Sequence, residues 1–180
     1  MMITKGKIGL RAVEESDLEI LKNWRNHQDF RKNFREFREL NSKNQLLWFD
    51  KISKSINDFM FSIVELDSNE LIGACGLLYI DWINRSADFS FYIGKDFLYI
   101  DEKYSIDSAK CLLKYGFETL NLNKIWMELY EFDNEKLNFF KEKLGFITDG
   151  KLRENCFSDG KYWDSYILSF TLSDYLKSEK

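Results

Sequence analysis

Basic side chains crowd one short segment of the chain, where they could bind an anionic group. The segment, residues 25–41, contains Arg25, Arg31, Lys32, Arg35 and Arg38, interleaved with Phe30, Phe34 and Phe37. A guanidinium group binds phosphate in a bidentate geometry, so these arginines could grip a phosphorylated molecule. The alternative is a loop closed by salt bridges, because Glu36 and Glu39 lie in the same segment.

Other reactive residue types are too sparse or too scattered for several kinds of site. Cys75, Cys111 and Cys156 lie far apart, which fits neither a metal site nor a disulfide framework. His27 is the only histidine and has no motif around it, so a His-rich zinc site is excluded and a Ser-His-Asp site is not expected. No metal is predicted.

Length and composition favour one cytoplasmic domain over residues 1–180. The chain is 44% hydrophobic and 17% aromatic, enough for a core rich in aromatic rings. Its net charge of -4 argues against a nucleic-acid partner, and it has no run of transmembrane length. Residues 1–13 lack the apolar region of a secretory signal, so neither a membrane partner nor export is predicted.

Hydrophobic periodicity predicts alternating strands and helices. Strands are expected at Ile8–Val13, Phe59–Leu66, Leu71–Ile80, Ser86–Ile93, Ile125–Tyr130, Phe146–Phe157 and Tyr162–Phe170. Two helices follow the first strand, a long one spans about 101–120, and another runs from Asn134 to Leu144. This order predicts an α/β (α+β) fold with a mixed, mainly antiparallel central sheet and helices on both faces.

Local signals mark where the elements begin and end. Ser16 with Glu19, and Ser42 with Gln45, are spaced as capping boxes that open the first two helices. Gly145 is expected to close the helix before it in a left-handed conformation. The segment 158–160, Ser-Asp-Gly, predicts a β-hairpin.

The order of elements and several local stretches resemble the GNAT superfamily of acyl-CoA-dependent N-acyltransferases. The matching stretches are residues 10–18, 24–26, 82–89, 120–125, 134–146 and 160–164. They cover nearly the whole chain, and the ribosomal-protein, spermidine and amino-sugar acetyltransferases are the nearest branch. The resemblance implies a GNAT-like domain that moves an acetyl group from acetyl-CoA to a primary amine of a small molecule or a protein N-terminus.

The resemblance also implies where acetyl-CoA binds. Its pantetheine chain would lie between two splayed strands, with the pyrophosphate on backbone N–H groups at the start of the long helix. The residues at the matching positions are Tyr92, Ile93, Lys103, Tyr104, Ser105 and Asn134. Asn134 has the alternative role of a helix N-cap.

Residues 100–105 depart from the pattern of the family at this helix start. Ile100 replaces an Arg or Gln, and Lys103 replaces the first of two small residues. Asp101 and Glu102 add negative charge beside the expected pyrophosphate. Lys103 could contact a phosphate, or the segment could be a solvated helix start whose acidic residues favour the helix dipole.

Catalysis in such enzymes needs a base for the amine and an acid for the leaving thiolate. Asp88 occupies the position where relatives often carry Glu, and is the candidate base; the alternative is a solvent-facing strand carboxylate. Lys141 stands where relatives place a tyrosine acid, so the acid is unassigned, with Tyr92 and Tyr130 as substitutes.

The acceptor side would be roofed by the arginine-rich segment. The candidate substrate-binding residues are Trp24, Arg25, Arg31, Trp82 and Asn84. A polyamine, an amino-sugar nucleotide, a protein N-terminus and an antibiotic all remain open as acceptors, and relatives suggest a homodimer.

Three functions fit the sequence. The first is an active N-acetyltransferase that uses acetyl-CoA. The second is a protein of the same fold whose altered helix start no longer binds the cofactor and which acts as a non-catalytic binding module. The third is an acyltransferase that uses another thioester carrier.

Overall fold

The computed structural model describes residues 2–178 and contains one eight-stranded sheet. The strands are β1 (Ile3–Lys5), β2 (Ile8–Ala12), β3 (Phe59–Glu65), β4 (Glu70–Asp81), β5 (Ser86–Ile93), β6 (Lys124–Tyr130), β7 (Ile147–Ser158) and β8 (Lys161–Thr171). The helices are α1 (Leu18–Asn26), α2 (Gln28–Arg31), α3 (Ser42–Lys54), α4 (Ser105–Lys114), α5 (Asn134–Asn138) and α6 (Leu172–Ser178).

The sheet is antiparallel except at one pair of strands in its middle. The strand order is β1-β2-β3-β4-β5-β6-β8-β7, and only β5 and β6 run parallel. These two strands are neighbours over just three residue pairs, from Ser86 and Lys124 to Asp88 and Trp126. The predicted mixed, mainly antiparallel sheet is confirmed.

Helices cover both faces of the sheet, as predicted. On one face Trp24 of α1 packs against Tyr92 of β5, with ring centroids 6.3 Å apart. On the other face Phe91 stacks on Phe139, in the π-helical turn Phe139–Lys143 that continues α5. Because successive strand residues point to opposite faces, neighbours 91 and 92 anchor opposite helical layers. The core is rich in aromatic rings, as the composition predicted.

Both predicted capping boxes are displaced by the structure. α1 is preceded by a 3-10 turn, Glu15–Asp17, whose box is formed by Glu14 and Asp17. α3 is capped by Asn41, whose side chain accepts a hydrogen bond from the Asn44 N–H. The prediction with Ser16 and Ser42 was therefore wrong, because the first box begins two residues earlier, at Glu14, and the Asn41 amide oxygen caps α3 one residue before Ser42.

Two further boundaries differ from the prediction. The long helix begins at Ser105 rather than near 101 and ends in a π-helical turn, Tyr115–Thr119. Strand β1 and helix α6 were not predicted at all, since each is short and is stabilised by packing on a neighbour. Gly145 (φ 76°) and the turn residues Asp159 (φ 52°) and Gly160 (φ 78°) do adopt the left-handed conformations expected of them.

Within residues 2–178, none of the helices combines the length and apolar character needed to cross a membrane.

Asp17 joins α1 to the sheet. Its carboxylate accepts hydrogen bonds from Arg11 at 2.6 and 2.8 Å, from the Glu14 N–H at 2.9 Å and from the Ser62 hydroxyl at 2.7 Å. Burial alone favours the neutral carboxyl, but these hydrogen bonds outweigh it and lower the pKa of Asp17. The ionised Asp17 thus stabilises the native state above its ordinary pKa of 3.8.

We expect Asp17→Asn to lower the free energy of unfolding by about 2 kcal/mol at neutral pH, since it breaks a largely buried charged network. Because the native pKa is depressed, this difference should shrink as the pH falls through that pKa. Urea denaturation at pH 7 and below pH 4 measures both effects. Glu19→Gln removes only the exposed pair with Lys22 and should change the stability by less than about 0.5 kcal/mol. Equal losses in the two variants would contradict this account.

Candidate active site

A gap opens in the sheet where β5 and β6 separate. Their pairing stops at Asp88 and Trp126, although β5 continues to Ile93 and β6 to Tyr130. Beyond this point the facing edges of both strands need other hydrogen-bond partners. A cavity of about 240 Å³ lies in the gap, and we call it the strand-gap cavity. Charged residues that line it are Arg25, Arg35, Glu36, Asp88, Glu128 and Lys136.

Asp88 stands at the point where the strands separate and is only 4% exposed. Its carboxylate accepts a hydrogen bond from the Arg35 guanidinium, which also lies 3.6 Å from the Glu128 carboxylate on β6. Burial raises the pKa of Asp88, and the charges of Arg35 and Lys136 offset only part of that effect. The residue is therefore a buried carboxylate on the cavity wall, and the solvent-facing alternative is wrong.

Lys136 projects from α5 into the opposite side of the same cavity. Its Nζ donates a hydrogen bond to the Phe91 carbonyl at 2.6 Å and lies 5.0 Å from the centre of the Tyr99 ring. Burial lowers the pKa of Lys136 to about 8. The ammonium thus satisfies a strand carbonyl that would have bonded to β6 in a closed sheet.

The Phe91 N–H also points into the gap. Ile93 exchanges both of its backbone hydrogen bonds with Tyr99, on the side of β5 away from β4. Along an antiparallel strand, residues two apart direct their N–H and C=O groups to the same side. The strand-gap cavity therefore offers a backbone N–H, a carboxylate and an ammonium group.

The start of α4 already holds an anion that belongs to the protein itself. The Asp101 carboxylate accepts hydrogen bonds from the N–H groups of Lys103 (3.1 Å), Tyr104 (3.1 Å) and Ser105 (2.9 Å), and from the Ser105 hydroxyl (2.8 Å). Lys103 turns toward Glu65 on β3, with 3.3 Å between Nζ and Oε1. Asp101 thus binds the N–H groups that lead into α4 and the first N–H of the helix itself, in addition to placing a negative charge there.

The remaining residues expected to bind the cofactor are spread around the gap. The Tyr92 ring lies on the α1 face among Trp24 and Phe34, and burial raises its pKa to about 12. Ile93 is fully buried at the end of β5. Asn134 is exposed in the first turn of α5, where the preceding residue Asp133 is the N-cap.

Of the five residues expected to bind the acceptor, only Arg25 lines the strand-gap cavity. Trp24 is buried against Gly94, where a Cβ atom would lie 2.0 Å from its ring. Arg31 pairs with Glu39, in agreement with the salt-bridged alternative. Trp82 and Asn84 lie in the β4–β5 turn and bond to Asn57 and Asp81, respectively. Those two residues line neither this cavity nor the neighbouring one described below.

The structure also separates the candidates for the proton donor. Lys141 is exposed on the π-helical turn and does not line the cavity. Tyr130 does line it, and burial raises its pKa. Sequence reasoning missed Lys136, because a lysine in a short polar helix has no local pattern that indicates a role in a site. It also missed Glu128, although the alternation of Trp126, Glu128 and Tyr130 along β6 indicates a shared face.

Comparison with known proteins agrees with this architecture. A family model described as an acetyltransferase (GNAT) domain matches residues 10–167. The spermidine N(1)-acetyltransferase of Vibrio cholerae is 28% identical over 175 residues, which cover 94% of this chain and 96% of that protein.

Solved structures of the spermidine N-acetyltransferase from Vibrio cholerae are similar along the whole fold. A complex with CoA and spermine has a TM-score of 0.85 at 26% identity and covers 96% of this chain and 99% of that one. A dodecameric form has a TM-score of 0.81 at 26% identity, with coverage of 98% and 100%. The gap between two parallel strands, the helices on both faces and the match over most of the sequence together place the chain in the GNAT superfamily of acetyl-CoA-dependent N-acetyltransferases.

Proposed function

We propose that this N-acetyltransferase transfers the acetyl group to a primary amine in the strand-gap cavity, with Asp88 as the base and Lys136 as the acid. The observation that carries the proposal is a pair of titratable groups on one cavity, shifted in opposite directions. Burial raises the pKa of the Asp88 carboxyl and lowers that of the Lys136 ammonium to about 8. Both groups are thereby moved toward the pH range in which they can exchange protons.

The two groups complement the steps of acyl transfer. An ammonium substrate must lose a proton to attack a thioester, and Asp88 can accept it once the substrate weakens its hydrogen bond to Arg35. The departing thiolate needs a proton, which Lys136 can give. The Phe91 N–H, directed into the same cavity, can stabilise negative charge on the carbonyl oxygen of the acyl group.

The start of α4 can hold the pyrophosphate of the acyl donor only after a local change. Its N–H groups converge on one anion, an arrangement that supports an anion site at this helix start. That anion is the carboxylate of Asp101, so a phosphate has to displace it. Acetyl-CoA is therefore proposed to bind more weakly here than in relatives with small residues at this helix start.

The acceptors in the named relatives are spermidine and spermine, and the acceptor of this chain belongs to the amines as a class. The dodecamer of the Vibrio cholerae protein is compatible with self-association of this chain, which we also propose in place of a specific dimer. The cytoplasmic location stays a prediction.

Asp88→Asn should lower kcat about a hundredfold or more, the usual cost of losing a general base. CoA release is measured with a panel of primary amines, and the best acceptor is used for the comparison. Asp96→Asn, an exposed substitution outside the cavity, serves as the control and should retain full turnover. The assignment of Asp88 is wrong if its variant turns over like that control.

Lys136→Met and Lys136→Arg should both lower kcat by about tenfold to a hundredfold, because neither residue gives up a proton near neutral pH. In the wild type, kcat should fall as the pH rises through about 8, where Lys136 loses its proton. That alkaline decrease should be absent from both variants. If Lys136→Arg, which keeps the positive charge, retains full turnover and the wild-type pH profile, Lys136 is not the acid.

Asp101→Gly should have opposite effects on stability and on binding. Without its cap, α4 should lose about 1 kcal/mol of stability, seen as a lower melting temperature without ligand. The freed N–H groups should bind acetyl-CoA roughly tenfold to a hundredfold more tightly in calorimetric titration, and the Asp101→Gly, Lys103→Gly double variant at least as tightly. Glu102→Gly, whose exposed side chain forms an ion pair with Lys143 at 3.8 Å, is the matched control. If neither the wild type nor these variants bind acetyl-CoA at roughly millimolar concentration, the non-catalytic alternative replaces the proposal.

A further inference from the structure

A second cavity adjoins the strand-gap cavity on the α1 side of the sheet. It has a volume of about 350 Å³ and lies between α1, α3 and the segment that joins them; we call it the α1–α3 cavity. Trp48 and Tyr92 contribute to its largely apolar wall. Arg25 and Glu36 line both cavities, so the two spaces share a wall at Arg25.

The charges around the α1–α3 cavity are mostly positive. Arg25, Arg38 and Lys51 line it, and Glu36 is the one carboxylate among the described residues of its wall. Glu36 is already engaged by Arg38, whose side chain donates two hydrogen bonds to it at 2.8 and 2.6 Å. Arg25 and Lys51 have no carboxylate within 4.0 Å in residues 2–178, and Glu36 acts on Arg25 only from a longer distance.

Arg25 is the less solvated of these two cations. Its guanidinium lies 4.0 Å from the centre of the Phe34 ring and has no hydrogen-bond acceptor in the part of the chain that the structure describes. Burial lowers its pKa, but a guanidinium remains charged at any physiological pH. A partly buried, charged group without an acceptor is costly, so a ligand that supplies an anion would be favoured here.

Gln45 provides a second and independent indication of a ligand. Its residue is 5% exposed and lines the α1–α3 cavity, yet its side-chain amide has no hydrogen-bond partner among residues 2–178. Its amide atoms are not among the fully buried side-chain atoms that lack a partner, so they reach the open space of the α1–α3 cavity and can bond to a ligand there. An amide facing a cavity beside two unpaired cations is suited to donate a hydrogen bond to an anionic oxygen.

From this arrangement we infer that the acceptor is an amine that also carries an anionic group, a carboxylate or a phosphate, held by Arg25, Gln45 and Lys51. The inference rests on the proposed N-acetyltransferase function and adds the class of acceptor. The anionic end occupies the α1–α3 cavity, and the amine extends past Arg25 to Asp88 in the strand-gap cavity. A polyamine, positive at both ends, would face Arg25 and Lys51 without a free carboxylate in the α1–α3 cavity to bind it.

The experiment compares matched acceptors in a CoA-release assay. One series is the ω-amino acids from 3-aminopropanoate to 6-aminohexanoate, a second is the ω-aminoalkyl phosphates, and the third is the diamines of equal length together with spermidine. We expect the best anionic amine to exceed its matched diamine in kcat/KM by roughly tenfold to a hundredfold. The first two series identify whether the anion is a carboxylate or a phosphate.

Variants assign the preference to the cavity. Arg25→Gln should bring the ratio of kcat/KM for the anionic amine to kcat/KM for its matched diamine close to 1, and Arg25→Lys should restore part of that ratio. Lys51→Gln should lower the advantage less. Lys43→Gln, on the same helix but outside the α1–α3 cavity, is the control and should match the wild type. Melting temperatures verify that each variant folds. If Arg25→Gln does not fold, the comparison is made with Lys51→Gln instead.

The outcomes separate this inference from the proposed function. If spermidine or the diamines are preferred, or if the preference survives in both Arg25→Gln and Lys51→Gln, the anion site is refuted while N-acetylation stands. If no amine is acetylated, the proposed function fails. Calorimetric titration of the ω-amino acids and aminoalkyl phosphates then tests the anion site independently of catalysis. Binding that is lost in Arg25→Gln supports the site, whereas no binding or equal binding overturns it.

Discussion

The separation of β5 from β6 is the constraint on which the rest of the structure depends. Parallel pairing holds only from Ser86 to Asp88, and beyond that point each strand leaves backbone groups without a partner. Such groups must be satisfied from elsewhere, because an unpaired buried carbonyl or N–H is costly. Lys136 bonds to the Phe91 carbonyl and Tyr99 pairs with Ile93, so the gap persists as a polar cleft inside an otherwise continuous sheet.

Charged groups around this gap are held by partners that belong to the protein. Arg35 bridges a carboxylate on each of the separating strands, Asp88 and Glu128, and Asp101 occupies the N–H groups at the start of α4. These internal contacts lower the cost of keeping charges in a poorly solvated place. The same contacts must be exchanged for substrate contacts during binding, so affinity reflects a difference between two sets of hydrogen bonds.

The arginine-rich segment divides into residues with different tasks. Arg31 and Arg38 close the segment on Glu39 and Glu36, as the salt-bridged reading of the sequence predicted. Arg35 reaches the sheet, where it orders the carboxylates of the gap. Arg25 alone of these four has no acidic partner within 4.0 Å in residues 2–178, and it lies where the two cavities meet. The arginines of this segment look alike in the sequence, but three of them form ion pairs within the protein and Arg25 does not.

The sequence by itself determined the class of fold and the location of most strands and helices, because these depend on local periodicity and turn residues. The alternation of polar and apolar residues from Ser86 to Phe91 and the left-handed turn at Asp159 and Gly160 could be recognised without knowledge of any distant partner. Asp88 was named from its position along a strand that matches the family pattern. Short elements such as β1 and α6 were missed, since packing rather than propensity stabilises them.

Only the tertiary structure decided how the side chains of the site meet. Lys136 and Asp88 are far apart in the chain, and no local pattern indicates that they line one cavity. Their shifted pKa values likewise come from burial by other elements, which the sequence does not encode locally. The role of Asp101 as a cap depends on a loop bending back to the N–H groups of α4. Long-range packing sets each of these features, and for that reason they follow from the fold and could not be deduced from spacing along the chain.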